Sequence, residues 1–146
     1  MMENQDFDFS KVPSGWQLCF NNDCPRCGEC LRYVAGSHAP AEKEWGTAVY
    51  PKALQADGQC RWYRTAEPKQ AAWGFAKIFD NVRRLDFQPM RLRITDILGS
   101  KGVYYDHRNG VRPLMPDQQE AIARVFADFG YEPPQYEKYG PCLDFR

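Results

Sequence analysis

The stretch 19-CFNNDCPRCGEC-30, together with Cys60 in 59-QCRWYR-64, decides how the first half of this chain folds. Cys19, Cys24, Cys27 and Cys30 crowd into one short segment, and a fifth cysteine arrives from far along the chain. Thiolates at such spacings, plus one remote thiolate, let a tetrahedral metal tie a loop to a distant segment. The clamp matters because residues 14–66 carry scattered aromatics and Gly/Pro punctuation but no sustained hydrophobic period.

Zinc takes four thiolate or imidazole ligands at about 2.0 to 2.3 Å. The preferred set is Cys19, Cys24, Cys30 and Cys60, with Cys27 able to substitute for a neighbour; His38 is an outside candidate. An iron–sulfur cluster is the alternative cofactor, because Cys24-Pro-Arg-Cys27-Gly-Glu-Cys30 has the spacing of the first three ligands of a ferredoxin-type run. The fourth local cysteine of such a run is absent, so Cys60 or Cys19 would complete it. The plain reading is a set of free thiols in a small core. Cys142 reads as a lone thiol.

Working outward, 146 residues with 43% hydrophobic and 14% aromatic content suffice for a packed core, which excludes global disorder. The net charge is zero but unevenly spread. Residues 61–112 hold 11 Lys/Arg against 5 Asp/Glu, while residues 1–60 and 113–146 are each acidic. A basic middle between acidic ends suggests one positive face. The N-terminal sequence lacks the basic leader and apolar run of a signal peptide, and no stretch approaches the roughly 18 apolar residues of a membrane span. The expectation is a cytoplasmic protein with no membrane partner. Thiols stay reduced there, which favours metal over disulfides; in a secreted protein three disulfides would be the alternative.

The chain divides by pattern into a cysteine-rich, metal-clamped region over 1–66, a helical region over 67–130 and an irregular tail over 131–146. Residues 1–13 read as an arm ending at Pro13. Short strands are expected at Thr47–Tyr50 and Cys60–Arg64, and a turn or two of helix at Cys30–Ala35. Ala71, Phe75, Ile78, Phe79 and Val82 follow helical spacing, predicting a helix over 69–84 behind Pro68. A second helix follows Pro89, with Met90, Ile94, Ile97 and Leu98 as its stripe, and Gly99 ends it. A third runs from Ser100 or Lys101 to Asn109-Gly110. The last opens at Pro116-Asp117, buries Ile122, Val125, Phe126 and Phe129, and closes at Gly130. The fold class is therefore mostly α, with α+β as the variant: an irregular, clamped half with short strands, then a helical half.

The segment 91-RLRITDILGSKGVYYDHRNGVRPLMPDQQEAIARVF-126 resembles repressor-like helix-turn-helix domains in its Leu98-Gly99 turn, short helix, Asn109-Gly110 and Arg112-Pro113-Leu114. The resemblance implies that Lys101, Tyr104, Tyr105, His107 and Arg108 form an exposed reading set, with Arg91, Arg93 and Arg112 placed for phosphates. The sequence departs from that pattern at Ser100, where an apolar residue usually packs. It departs again at Gly102, which weakens the helix by about 1 kcal/mol, and at Asp106, whose charge opposes phosphates. The bland reading is a small helical subdomain with solvated basic residues and core tyrosines.

End to end, the chain also resembles an uncharacterised family of small Bacteroidetes proteins, through FDFSKVPSGWQLCF, CLRY, AVYP, CRWYR, AWGFAKIFDNV, MRLRITDILGSKGVYY and NGVRPLMPDQQ. That resemblance implies Cys19, Cys24, Cys30 and Cys60 as a shared set and leaves Cys27 outside it. It implies no activity. No phosphate-cradling glycine loop or nucleophile motif is evident, so no enzymatic role is expected. The functional expectation is a zinc-stabilised, cytoplasmic nucleic-acid-binding protein, a DNA-binding regulator that would gain affinity as a homodimer. An iron–sulfur electron-transfer protein and a protein–protein adaptor with structural zinc are the alternatives.

Overall fold

A computed structural model describes residues 7–146. Part of the arm expected over 1–13 (residues 1–6) lies outside the described residues. The chain forms two compact units. One contains the described residues through Pro68 together with Leu143–Arg146; the other is Lys69–Cys142. Four helices and four short strands among the described residues make the fold α+β. The mostly-α expectation fits only the second unit.

In the first unit, β1 (Leu18–Cys19) pairs in parallel with β2 (Ala48–Val49), and α1 (Leu31–Ser37) packs on β1. The close approach requires Gly36, because any Cβ there would run into the carbonyl oxygen of Cys19. Short turns do much of the remaining work. Asp8 caps a 3-10 turn at Phe9–Lys11 by accepting the Ser10 N–H at 3.0 Å. The N–H of Leu31 donates to Arg64 O at 2.6 Å, and that of Ala66 to Glu29 O at 2.9 Å, fastening a Cys30–Thr65 bridge. The strand expected at Thr47–Tyr50 is present as β2. The one expected at Cys60–Arg64 is instead a turn, closed by the Tyr63 N–H on Cys60 O at 3.1 Å, and only Thr65 reaches strand geometry.

The second unit builds its core from β3 (Lys69–Trp73), β4 (Lys138–Cys142), α2 (Arg84–Leu98), α3 (Lys101–Arg108) and α4 (Pro116–Asp128). β3 and β4 are antiparallel, with Ala71 opposite Gly140. On its other edge Ala72 exchanges both backbone hydrogen bonds with Leu114, at 3.0 and 2.7 Å. The helix expected over 69–84 is therefore a strand followed by turns, and the tail expected to be irregular supplies its partner. The two corrections have one cause: each strand is specified by the other, some seventy residues away, and local periodicity cannot see a non-local ladder.

Phe75, Met90, Ile94, Leu114, Ile122, Val125 and Phe126 are all fully or almost fully buried. Burying each such side chain contributes about 1.5 to 3 kcal/mol. Helix α2 begins at Arg84, ahead of the start expected after Pro89, and carries Pro89 inside it. The lost hydrogen bond is offset by outside anchors. The Tyr131 hydroxyl donates to Asp86 and accepts the Arg83 N–H, and Phe87 meets Phe79 edge-on at 5.0 Å. Gly99, at φ 114°, ends α2 in a conformation that L side chains avoid, and the Ser100 hydroxyl caps α3 by accepting the Val103 N–H.

Candidate metal centre and the basic helical region

A ladder of tight turns presents the clustered cysteines. Asn21 starts it, its carbonyl accepting the Cys24 N–H at 3.4 Å and its side chain the Asp23 N–H at 3.1 Å. The Cys27 N–H then bonds Cys24 O, and the Cys30 N–H bonds Cys27 O, both at 3.2 Å. Cys19 comes from the end of β1. Cys60 comes from a turn in which Gln55 N–H meets Gln59 O at 2.8 Å and Asp57 receives the Gln59 N–H.

These three segments meet. Cys19, Cys24, Cys27, Cys30 and Cys60 line a single cavity of about 30 Å³, walled by Arg26, Tyr33, Trp62 and Tyr63. That is roughly the space of one water molecule in the liquid. Burial pushes the Cys19 thiol up; the backbone of Asn21 opposes this, and nearby charge on Cys30, Cys24 and Cys60 adds to it. Those four sulfurs are within electrostatic reach of one another, and a divalent cation would reverse the sign of the effect by stabilising the thiolates. Among the described residues, no three His, Cys, Asp or Glu side chains are gathered into a ready ion cage. A zinc ion bound there would need its sulfurs drawn in to about 2.3 Å. No disulfide joins them. His38 lies outside the ring of cysteines: its Nδ1 is 2.8 Å from Val34 O and its ring is 5.0 Å from Phe7.

The support around this cavity gives no sequence signal. Arg32 on α1 is only 3% exposed. Its Nε donates to Trp62 O at 2.7 Å and an Nη to Gln17 O at 2.8 Å, and the guanidinium lies 4.3 Å from the Trp16 ring and 5.4 Å from the Trp62 ring. Burial lowers its pKa, and nearby charge on Cys30, Cys60 and Cys19 counters this. One buried cation thereby joins β1, α1 and the Cys60 turn.

In the second unit, α2 ends at Leu98 and α3 begins at Lys101, with Gly99 and Ser100 between them. The reading set needs correcting. Tyr104 is 3% exposed and meets Phe75 edge-on at 5.2 Å, and His107 is 4% exposed; both belong to the core side of α3 because that side faces Phe75 and its neighbours. Arg93 pairs with Asp128 at 2.8 Å and Arg112 with Asp106 at 3.3 Å. Lys101 is exposed. Arg91 and Arg108 instead turn to one open groove of about 470 Å³ that Arg84, Phe79, Phe87 and Tyr105 also line. Arg84 and the two phenylalanines carried no signal as site residues, since they lay on a stretch read mainly as helix stripe and linker.

A family model described as a family of unknown function, DUF6078, matches residues 1–145. The chain belongs to that family. No curated protein and no solved structure matches it. DUF6078 membership spans both units, so the cysteine ring and the basic groove lie within one family-matched chain. No helix among the described residues is long and apolar enough to cross a membrane.

Proposed function

We propose that this is a zinc-clamped, cytoplasmic nucleic-acid-binding protein, with DNA as the first candidate partner. Cys19, Cys24, Cys30 and Cys60 hold the zinc, Cys27 being the substitute ligand, and the metal's role is structural. The observation that carries the clamp is the meeting of three separate segments at one small cavity that all five cysteines line.

For the partner, the supporting feature is a set of cations with no carboxylate attached. Among the described residues, Arg84, Arg91 and Arg108 form no ion pair with any acid, and Lys101 stands exposed at the start of α3. Arginines left unpaired beside one another suit phosphate oxygens, which they bind in bidentate fashion. The helix-turn-helix likeness gives the same face, now with Tyr104 and His107 as core and Arg93 and Arg112 as paired surface residues.

The test joins elemental analysis to binding. One equivalent of zinc per chain is expected, together with salt-dependent anisotropy change on a labelled DNA duplex. Lys101→Ala with Arg108→Ala should weaken binding and flatten the salt slope by about one to two units, one for each lost phosphate contact. Metal-free protein of full stability would end the clamp, and absence of any DNA binding at low salt would end the DNA assignment.

A further inference from the structure

We infer that the groove beside α2 and α3 is a binding site for a nucleotide whose base is free of a duplex, a ligand joining a phosphate to an exposed planar ring. The inference rests on the nucleic-acid reading above and narrows it. The groove lies wholly within the second unit, and its volume of about 470 Å³ falls in the range of small-ligand pockets. A groove of that size has room for one nucleotide, and a base freed from a double helix can offer its face to the lining, whereas a stacked base cannot.

The charged side of the groove asks for an oxyanion. Arg91 donates from one Nη to the Tyr105 hydroxyl at 3.3 Å and forms no ion pair among the described residues, so its guanidinium keeps donors for an incoming anion. Among the described residues the Arg108 guanidinium bonds the neighbouring Asn109 side chain at 3.2 Å and no acid, and it lies 6.0 Å from the Tyr105 ring. Arg84 completes the trio, and Asp80 is the one acid on the lining. Three guanidiniums beside a single carboxylate leave donors over, and a phosphate's terminal oxygens, three on a monoester and two on a diester, can accept from them.

The other side asks for a ring. Phe79 is fixed by stacking on Phe126 at 5.8 Å and by the edge of Phe87 at 5.0 Å, while Phe87 itself remains 38% exposed. A rigid aromatic pair next to guanidiniums is the arrangement on which unpaired bases stack, and it is tolerant of base identity.

The experiment uses the full chain as purified and measures binding of four probes: adenosine monophosphate, inorganic phosphate, a short thymidine oligonucleotide and a blunt DNA duplex. The oligonucleotide and adenosine monophosphate should bind and compete, both more tightly than phosphate. A tighter oligonucleotide identifies the single strand as the source, and a tighter mononucleotide identifies the free nucleotide. Arg91→Gln should weaken both by about tenfold or more, while Phe87→Leu, at a partly exposed site, should weaken them and leave phosphate unchanged. Adenosine monophosphate binding with no affinity for either nucleic acid keeps the groove and ends the nucleic-acid reading. Duplex binding without either competitor ends the groove proposal alone. Phosphate as tight as the mononucleotide, or Phe87→Leu without effect, overturns it as well, and silence from all four probes ends both.

Discussion

The two units solve the same problem by opposite means. Lys69–Cys142 buries Phe75, Met90, Ile94, Leu114, Ile122, Val125 and Phe126 against one another, and its helices are held by that shared core. The first unit buries Leu18, Cys30, Leu31 and Ala35 as its apolar set, and sets a buried arginine among them. Its segments are joined by turns and by Arg32, and its clustered cysteines line one small cavity. A unit with so little apolar burial is where a metal contributes most, because small domains otherwise fall short of the entropy cost of ordering.

The sharpest way to break the comparison is to remove the proposed zinc. A strong zinc chelator, or Cys30→Ser, should unfold the first unit while the second keeps its helical signal, since structural zinc supplies roughly 10 to 16 kcal/mol of apparent binding energy in small zinc domains. Amide exchange resolved by residue checks this: protection lost across 18–66 and kept across 90–126 is the expected pattern. Uniform protection in the metal-free protein would mean that the first unit stands on its own contacts.

The converse experiment strikes the apolar core. Ile122→Ala removes a fully buried side chain from α4 and should cost about 2 to 5 kcal/mol. The loss should appear as a lower melting temperature of the second unit with the zinc content unchanged. Metal loss on this substitution would show that the two units are not independent in stability.

The same contrast explains what was legible in the sequence. Helices α3 and α4 were readable because their signals are local: Ser100 and Gly99 at one junction, Pro116 at another, and an apolar stripe through Ile122, Val125 and Phe126. The cysteines declare themselves by spacing, and all five line one cavity, although among the described residues no three are gathered into an ion cage. What local pattern could not show were partnerships across the chain. The strand pair 69–73 and 138–142 looked like a helix and a loose tail, since Ala71, Phe75, Ile78 and Val82 mimic a helical period and Gly140-Pro141 mimics a turn. Arg32 looked like any helical surface arginine until Gln17 O and Trp62 O were found to receive it. Tyr104 and His107 were placed on the wrong side of α3 because the helix-turn-helix likeness assigns a face without knowing where Phe75 lies.

The smallest effect sharpens the local end of the comparison. The Ser100 hydroxyl accepts the Val103 N–H at 3.3 Å and satisfies one of the donors left open at the start of α3. Ser100→Ala should therefore cost about 1 kcal/mol, and Ser100→Asp should retain the cap and add a favourable charge at the helix N-terminus. The same aspartate would sit next to Lys101, on the side offered to phosphates. If that helix end meets nucleic acid, Ser100→Asp should keep stability while weakening DNA binding, whereas Ser100→Ala should lower stability and leave binding in place. Thermal melts and anisotropy on the two variants separate the cap from the contact. Equal binding by both would move the interface away from the start of α3 and onto the arginine groove alone.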